Sequence, residues 1–203
     1  KSYALMIYNL FPTPVGHYKI ERDLTRAELK FINKQEKKQN EGNKTSVDHY
    51  VLKNTKLLKL NTFLEKSLKD YVDHTLSPVE GNDIHITQSW INYTEEGEYH
   101  HKHAHPNSIV SGVFYIDTDP KRDRINFFNE GYKIIQLETK EWNAYNSRSW
   151  WYETDIGDLY LFPSSLPHSV FKVPEGKTRI SLSFNTFVKG TIGNDDKLTE
   201  LKL

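Results

Sequence analysis

The 203-residue sequence contains no cysteine. This absence excludes disulfide bonds, cysteine-ligated zinc or iron–sulfur sites, and thiol nucleophiles. The sequence also lacks an apolar run near the roughly 20 residues that a membrane-spanning helix needs, and it shows no signal peptide. We therefore expect a soluble, cytoplasmic protein with no membrane partner.

An excess of charge of one sign is missing as well, because 27 basic residues balance 27 acidic ones. A protein that coats a nucleic-acid duplex usually carries a basic excess, so we expect no nucleic-acid partner. No glycine-rich phosphate loop occurs either, which disfavours a nucleotide-binding enzyme. These absences leave small molecules, peptides and metal ions as the ligands to consider.

Aromatic residues are abundant, with 10 Phe, 12 Tyr and 4 Trp. Aromatic rings bury large areas, so a chain of this length can build one packed core. We therefore interpret residues 1–203 as a single domain. Within it, 1–80 supply an N-terminal strand and supporting helices, 81–190 form a β-rich core, and 191–203 form a surface tail.

The N-terminal part is mainly helical in pattern. An apolar run predicts a strand from Tyr3 to Phe11. A capping-box pattern begins a first helix over 25–34, and leucines at helical spacing predict a second helix over 57–76. The polar residues 35–47 between the helices are typical of a solvated helix end and a loop. In the tail, we expect leucines to dock the chain on the surface; they are Leu198, Leu201 and Leu203.

From residue 84 onward the hydrophobic period changes to two, which indicates strands separated by turn residues. The predicted strands lie near 84–93, 109–117, 124–128, 133–138, 148–153, 157–163, 168–173 and 178–188. Short strands that follow two helices predict a mainly β (α+β) fold. We expect a cupin-like barrel or jelly roll with the two N-terminal helices packed outside.

Four of the nine histidines lie within six residues: His100, His101, His103 and His105. If this segment is extended, His101, His103 and His105 share one face, because side chains alternate along a strand. Two imidazoles at positions i and i+2 can bind one metal ion, and imidazole suits Fe, Cu, Ni and Zn. A lone histidine would more simply be a solvated residue, whereas this cluster favours a metal site.

A third ligand and an anion site are predicted further along the chain. His168 opens a strand after a short turn, so a neighbouring antiparallel strand could bring its ring to His103 and His105. Arg179 follows eleven residues later, with Ser181 on the same face of the next strand. A guanidinium and a hydroxyl on one inward face form a clamp for a carboxylate.

These features together resemble the iron(II)- and 2-oxoglutarate-dependent oxygenases. The pattern His-x-His-Pro…Ser-Gly-Val-x-Tyr within residues 103–116 is most similar to a small branch of that superfamily found in bacteria and phages. The resemblance covers roughly residues 84–188. It implies a double-stranded β-helix that binds iron(II) and 2-oxoglutarate.

Carried over by position, the resemblance implies that His103, His105 and His168 are the metal ligands. His105 then stands where the superfamily usually has Asp or Glu, so the site has three neutral imidazoles instead of two imidazoles and a carboxylate. A nearby acid, Asp117 or Glu98, is an alternative third ligand. A site with one negative charge less differs in metal preference and redox behaviour.

The resemblance also implies how the cosubstrate is held. Arg179 matches the basic residue that binds the distal carboxylate of 2-oxoglutarate, and Tyr115 matches a tyrosine that assists it. Ser181 shares that carboxylate, and Asn92 reaches the other end of the cosubstrate. The implied activity is hydroxylation of a small-molecule or peptide substrate, while 2-oxoglutarate is oxidatively decarboxylated to succinate.

Two other functions fit parts of the sequence. Gly97 and Gly157 precede the two histidine segments at the spacing of the two cupin motifs, which allows an isomerase, a dioxygenase without a cosubstrate, or a ligand-binding module. A barrel that has lost catalysis is the third interpretation. Arg179 and Tyr115 favour the 2-oxoglutarate oxygenase, because a cupin has no special need for them. Trp150 and Trp151 are adjacent on a strand, so one ring should face outward, where it could contact a second copy in a homodimer.

Overall fold

The computed structural model describes residues 4–131 and 137–203. Within these ranges it contains the helices α1 (Arg26–Asn33) and α2 (Leu58–Thr75), with short 3₁₀ turns at Val51–Lys53, Thr55–Leu57 and Asp195–Lys197. The strands are β1 (Gly16–Lys19), β2 (Lys37–Gln39), β3 (Lys44–Ser46), β4 (Asp83–Thr94), β5 (His100–His103), β6 (Val110–Asp117), β7 (Arg124–Phe128), β8 (Ser149–Glu153), β9 (Asp158–Pro163), β10 (His168–Val170), β11 (Arg179–Lys189), β12 (Thr191–Ile192) and β13 (Leu201–Lys202). Neither described helix is long and apolar enough to cross a membrane.

Two antiparallel sheets make up the body of the protein. The large sheet has the strand order β1-β9-β6-β11-β4-β3-β2, and the small sheet has the order β5-β10-β7-β8. Residues of both sheets line one enclosed space, so the two sheets face each other. This arrangement confirms the predicted mainly β architecture with the helices outside.

The core consists of two layers, because β6 and its neighbours are buried on both faces. Phe114 points into a cluster with the leucines of α2 and the outer face of the large sheet. Its neighbour Tyr115 points into a second cluster between the two sheets, together with Ile125 and Phe162. Successive side chains of a strand point to opposite faces, so one strand serves both layers. The inner layer is the one that positions the functional site.

The helices begin where the sequence predicts them. Thr25 Oγ1 accepts a hydrogen bond from the Glu28 backbone N–H at 3.2 Å, and Glu28 Oε2 accepts one from the Thr25 backbone N–H at 2.7 Å. This is the predicted capping box, and α1 starts at the next residue, Arg26. Helix α2 covers most of the predicted range 57–76. Both boundaries follow from local sequence signals.

The strand predictions are confirmed for the core. Seven of the predicted strands correspond to β4, β6, β7, β8, β9, β10 and β11, and β10 is shorter than predicted. The eighth, 133–138, falls mainly outside the described residues, and Leu137 and Glu138 are not in a strand. The period-two pattern is reliable for six of these strands because each has at least one face in the core, whereas the residues of β8 are all exposed.

The predicted strand at the N-terminus is wrong. Residues 4–11 form neither strand nor helix, and Leu5, Leu10 and Phe11 are exposed. A strand needs a hydrogen-bonding partner as well as apolar side chains. The edge of the large sheet is paired instead with β1, which aligns Gly16 with Leu161 of β9.

The polar segment 35–47 is a hairpin rather than the predicted helix end and loop. Strands β2 and β3 pair with each other, and β3 pairs with β4. The turn places Gly42 at φ +83°, a backbone conformation that glycine adopts without strain. The side chains of β2 are exposed at the sheet edge, so the sequence of β2 carries no hydrophobic alternation that would have revealed the strand.

Two smaller expectations also fail. The tail contains the β12–β13 hairpin, and its leucines do not dock, since Leu198 is 93% exposed and Leu201 and Leu203 are exposed as well. Trp150 and Trp151 are both exposed, at 42% and 52%, instead of one facing inward. Strand β8 is the last strand of the small sheet, where neither face has a full partner layer among the described residues.

Candidate metal and cosubstrate site

Strand pairing brings two of the predicted ligands together. His103 of β5 and His168 of β10 are directly opposite each other in the antiparallel pair, and their ring centroids are 4.4 Å apart. His105 lies just after β5, where its backbone N–H donates to the Ser164 carbonyl at 2.9 Å. One ring nitrogen of each of the three histidines lies within 4.8 Å of the other two. The three predicted ligands therefore form one cluster.

The hydrogen bonds of these rings set their tautomers. Nδ1 of His103 lies 2.8 Å from the His101 carbonyl oxygen, and Nδ1 of His168 lies 3.1 Å from that of Leu166. A carbonyl oxygen only accepts, so each Nδ1 carries the proton and each Nε2 presents a lone pair. Metal-binding histidines typically donate their second ring N–H to such an acceptor.

The spacing of the Nε2 atoms suits a single ion. Nε2 of His105 lies 3.4 Å from Nε2 of His168. Around one ion with metal–nitrogen bonds of about 2.0–2.1 Å, neighbouring ligand nitrogens are separated by about 3.0–3.4 Å. Iron(II) is among the ions that imidazole ligands suit. The residues present therefore fit a first-row divalent metal ion.

Burial keeps these imidazoles neutral. It lowers the pKa of His105 to about 4 and that of His168 to about 3, and the neighbouring ring of His103 acts in the same direction. Burial also lowers the pKa of His103. A metal ion binds neutral imidazole, so no proton has to be removed from these rings at neutral pH before metal binds.

The acidic alternatives for the third ligand do not join the cluster. Glu98 Oε2 accepts a hydrogen bond from the Glu95 backbone N–H at 2.8 Å. Asp117 is exposed, with Oδ2 3.5 Å from the Thr178 hydroxyl. In the part of the chain that the structure describes, the ligand groups at this point consist of histidine alone.

The remaining predicted residues lie in the same place. The space between the sheets is a narrow cavity, and all seven predicted site residues line it. Ser181 of β11 is aligned with Asn92 of β4 on one side and with Tyr115 of β6 on the other. Arg179 lies two residues from Ser181 on the same face of β11, as the alternation predicts.

Arg179 is held by an acid that the sequence analysis missed. Its Nη1 donates to Asp123 Oδ1 at 2.7 Å, and Arg179 and Asp123 are only 3% and 4% exposed. Asp123 Oδ2 in turn accepts from the Thr118 hydroxyl and the Asp119 backbone N–H, both at 2.9 Å. The guanidinium is thus fixed in place and its charge is compensated. No sequence signal connects two residues that are 56 positions apart.

The hydroxyl of Tyr115 is a buried polar group without a hydrogen-bond partner among the described residues. The side chain is 1% exposed. An unpaired buried hydroxyl costs about 1–3 kcal/mol, so such groups call for an explanation. Burial raises the pKa of Tyr115, which keeps the hydroxyl protonated as a donor. A ligand carboxylate that accepts from Tyr115 and Arg179 together would satisfy it.

Asn92 is engaged with the cavity wall. Its Nδ2 donates to Ser183 Oγ at 2.9 Å and lies 3.4 Å from Ser181 Oγ, while its Oδ1 accepts from Trp90 Nε1 at 3.2 Å. The structure therefore places Asn92 at the site, but with its amide already satisfied. Its predicted contact with the cosubstrate stays a prediction.

His100 is a second residue that the sequence analysis missed. The pairing of β5 with β10 aligns His103 with His168 and His100 with Val170, so four residues of β5 oppose three of β10. This bulge interrupts the alternation, and His100 joins His103 in lining the cavity. Simple alternation places His100 on the opposite face, and nothing in the sequence marks the bulge.

Comparison with known proteins agrees with this fold. Residues 88–185 match the protein-family model described as "Putative 2OG-Fe(II) oxygenase". No curated protein sequence matches the chain at a significant level. The matched range contains all seven predicted site residues together with Asp123 and His100.

Solved structures of similar shape come from the same class. The non-heme alpha-ketoglutarate-dependent epimerase SnoN of nogalamycin biosynthesis has a TM-score of 0.60 at 11% identity, over 86% of this chain and 78% of that one. HygX of Streptomyces hygroscopicus, solved with nickel, 2-oxoglutarate and hygromycin B, has a TM-score of 0.57 at 10% identity, over 86% and 82%. A Pseudomonas putida prolyl-4-hydroxylase has a TM-score of 0.53 at 14% identity, over 85% and 92%.

The fold is thus a double-stranded β-helix with a candidate metal site between its sheets. Residues 88–185 match a 2OG-Fe(II) oxygenase family model, and the fold agrees with that match. These findings support an enzyme that depends on iron(II) and 2-oxoglutarate. The similarity to the narrower bacterial and phage branch stays a prediction.

Proposed function

We propose that this protein is an iron(II)- and 2-oxoglutarate-dependent oxygenase that hydroxylates a small-molecule or peptide substrate. In this proposal, His103, His105 and His168 hold iron(II), and Arg179 and Tyr115 bind the distal carboxylate of 2-oxoglutarate. The observation that carries the proposal is the unpartnered Tyr115 hydroxyl, buried in one cavity with Arg179 and the three imidazoles. A carboxylate anchored there and an ion at the imidazoles would then share that cavity.

The residues of the chain have separate tasks in this reaction. When bound, iron(II) and 2-oxoglutarate would supply the oxidising chemistry: dioxygen gives one oxygen atom to 2-oxoglutarate, which becomes succinate and carbon dioxide, and the other to the substrate. The three Nε2 atoms hold the ion in the cavity. Arg179, anchored by Asp123, and Tyr115 orient the cosubstrate by charge-assisted and neutral hydrogen bonds. The two sheets surround the site, which limits access of water to the reacting groups.

The charges of the cavity support both cofactors. Arg179 and Asp123 cancel each other, and the three histidines are neutral. A divalent ion and the dianion of 2-oxoglutarate then also cancel, so the filled cavity has no net charge. A carboxylate at position 105 would leave one uncompensated negative charge in a buried place, which is costly. Because Asp123 already supplies the negative charge that balances Arg179, a neutral ligand at position 105 keeps the filled cavity without net charge.

The neighbouring structures support the choice of reaction only in outline. One neighbour is an epimerase, another was solved with hygromycin B bound, and a third is a prolyl hydroxylase. Hydroxylation is the simplest outcome of oxidising a substrate C–H bond with dioxygen as the oxygen source. For this chain, a peptide and a small molecule are both retained as substrate classes.

The first experiment is an anaerobic titration of the iron(II)-loaded protein with 2-oxoglutarate, followed by visible absorption. We expect a weak charge-transfer band when the keto acid chelates the ion. Arg179→Ala should weaken 2-oxoglutarate binding at least 100-fold, whereas Arg26→Ala on the exposed side of α1 should leave it unchanged. Bound iron without any band would contradict the proposal and favour a cupin that uses no cosubstrate.

A further inference from the structure

A second group of three histidines lies beside the proposed iron site. One ring nitrogen each of His100, His101 and His103 lies within 4.8 Å of the other two. The ring centroids are 4.4 Å apart for His100 and His103, 4.9 Å for His101 and His103, and 5.5 Å for His100 and His101. The two groups share His103 alone, so five histidines provide two sets of three ligands.

The nitrogens of this second group are free to bind. Nδ1 of His101 is buried and has no hydrogen-bond partner among the described residues. Nε2 of the same ring lies 3.8 Å from a carboxylate oxygen of Glu41. The carboxylate lies on the Nε2 side of the ring, so it favours the tautomer with the proton on Nε2 and the lone pair on Nδ1. The unpaired Nδ1 therefore has a natural partner in a cation.

His100 completes the set because of the bulge in β5. The extra residue in that strand brings the ring of His100 over that of His103, instead of pointing it away from the cavity. Burial lowers the pKa of His100 to about 2, so its ring is neutral and keeps a lone pair. Bulges commonly re-aim side chains beside functional sites.

We propose that His100, His101 and His103 form a second binding site for a divalent first-row metal ion, alternative to the site of His103, His105 and His168. Nδ1 of His103 donates to the His101 carbonyl, which leaves only Nε2 to bind metal. One lone pair serves one ion, so the two sites exclude each other. Imidazole-only ligand sets suit iron, nickel, copper and zinc.

The position of the second site gives it a role in loading metal into the first site. All three histidines of the second site are half-buried, whereas the first site combines two half-buried histidines with the buried His168. The second site is therefore the more accessible of the two to an ion from solvent. The ion can then move to the first site while His103 remains its ligand, so it is never fully released. The second site is in this sense a loading position for the first.

Cobalt(II) binding to the metal-free protein tests this proposal without 2-oxoglutarate or turnover. Equilibrium dialysis with elemental analysis gives the stoichiometry, and the visible d–d bands report the ligands. We expect one cobalt per chain for the parent. The H105A/H168A variant, which lacks the first site, should still bind one cobalt, with an affinity within about 100-fold of the parent.

Removing His101 from that variant is the decisive step. H101A/H105A/H168A should lose stoichiometric cobalt binding. The control H74A/H105A/H168A, which removes the exposed His74 of α2 instead, should retain it. If H105A/H168A is folded by circular dichroism and binds no cobalt, the second site does not exist. Binding that survives removal of both His100 and His101 would overturn the proposal as well. H105Q/H168Q replaces the alanine pair if that pair does not fold.

These outcomes are independent of the proposed function. Cobalt at the second site says nothing about 2-oxoglutarate, and the charge-transfer titration depends on the first site only. A protein that chelates 2-oxoglutarate but fails the cobalt test keeps its proposed function and loses this inference. A protein that passes the cobalt test but does not chelate 2-oxoglutarate keeps this inference and loses its proposed function.

Discussion

The hydroxyl of Tyr115 should have opposite effects on the stability of the ligand-free protein and on the binding of 2-oxoglutarate. Tyr115→Phe removes a buried donor that has no partner, so the free energy of unfolding of the ligand-free protein should rise by about 1 kcal/mol. The same change should weaken 2-oxoglutarate binding about tenfold, because the carboxylate loses a donor. Urea unfolding and the charge-transfer titration measure the two effects. A loss of stability would show that the hydroxyl serves the fold and not a ligand.

His105 and Asp123 should be coupled through the charge of the cavity. His105→Asp restores the more usual carboxylate ligand but adds a negative charge, so 2-oxoglutarate affinity should fall at least tenfold. Asp123→Asn in the same chain removes one negative charge, and we expect it to restore most of that affinity. Asp123→Asn alone is the control, and circular dichroism checks folding. Equal, additive losses in the double variant would contradict the charge argument.

Single residues were predictable where local spacing defines them. The His-x-His pair, the turn before His168 and the alternation on β11 place five site residues without any knowledge of the fold. Asp123 was not predictable, because its partner Arg179 is brought near only by the meeting of the two sheets. His100 was not predictable either, because a bulge depends on how β5 pairs with β10.

At the scale of secondary structure elements, Gly112 of β6 is a position where the size of the side chain determines stability. It pairs with Phe184 of β11, and a Cβ added to it would lie 2.2 Å from Cζ of that ring. Gly112→Ala should therefore lower the free energy of unfolding by about 1–3 kcal/mol through overpacking. Urea unfolding measures the loss.

A compensating variant separates overpacking from backbone effects. Gly112→Ala combined with Phe184→Leu places a smaller side chain against the new methyl group, so part of the stability lost by Gly112→Ala should return. The single variant Phe184→Leu, which leaves a cavity, is the matched control. If the double variant is as unstable as the two losses added together, the clash with Phe184 is not the cause.

Elements were predictable where their own sequence carries the signal. Capping residues and a leucine stripe define α1 and α2, and alternation defines the strands that face the core. The hairpin of β2 and β3 was missed because its pairing with β4 comes from backbone hydrogen bonds under polar side chains. The N-terminal apolar run was mistaken for a strand because apolar composition alone does not supply a pairing partner.

For the whole molecule, the buried histidines predict a stability that depends on pH. The pKa values of His100, His105 and His168 are lowered to about 2, 4 and 3 in the folded protein. An unfolded chain binds protons at these rings near pH 6.5, while the folded chain does not. Stability is thus fully present above about pH 6.5 and is lost as pH falls below it.

The measurement is the free energy of unfolding of the metal-free protein between pH 7.5 and pH 5. Each of these rings adds up to about 1.4 kcal/mol per pH unit to the slope below pH 6.5. His100→Ala should reduce the slope of the free energy of unfolding against pH by the contribution of one imidazole ring. A flat profile across this range would mean that the rings are protonated in the folded state. Saturating metal should raise the free energy of unfolding by a nearly constant amount and leave the slope almost unchanged, because rings that are already neutral release no proton when the ion binds.

The pairing of Arg179 with Asp123 also has a consequence for how the two cofactors influence each other. Since the two side chains cancel, the cavity is neutral when empty, and a divalent cation or a dianion bound alone leaves an uncompensated charge. Each cofactor should therefore tighten the binding of the other, and by thermodynamic reciprocity the two factors are equal. The enzyme would then hold iron weakly in cells poor in 2-oxoglutarate and firmly in cells rich in it, so that carbon metabolism sets its metal occupancy.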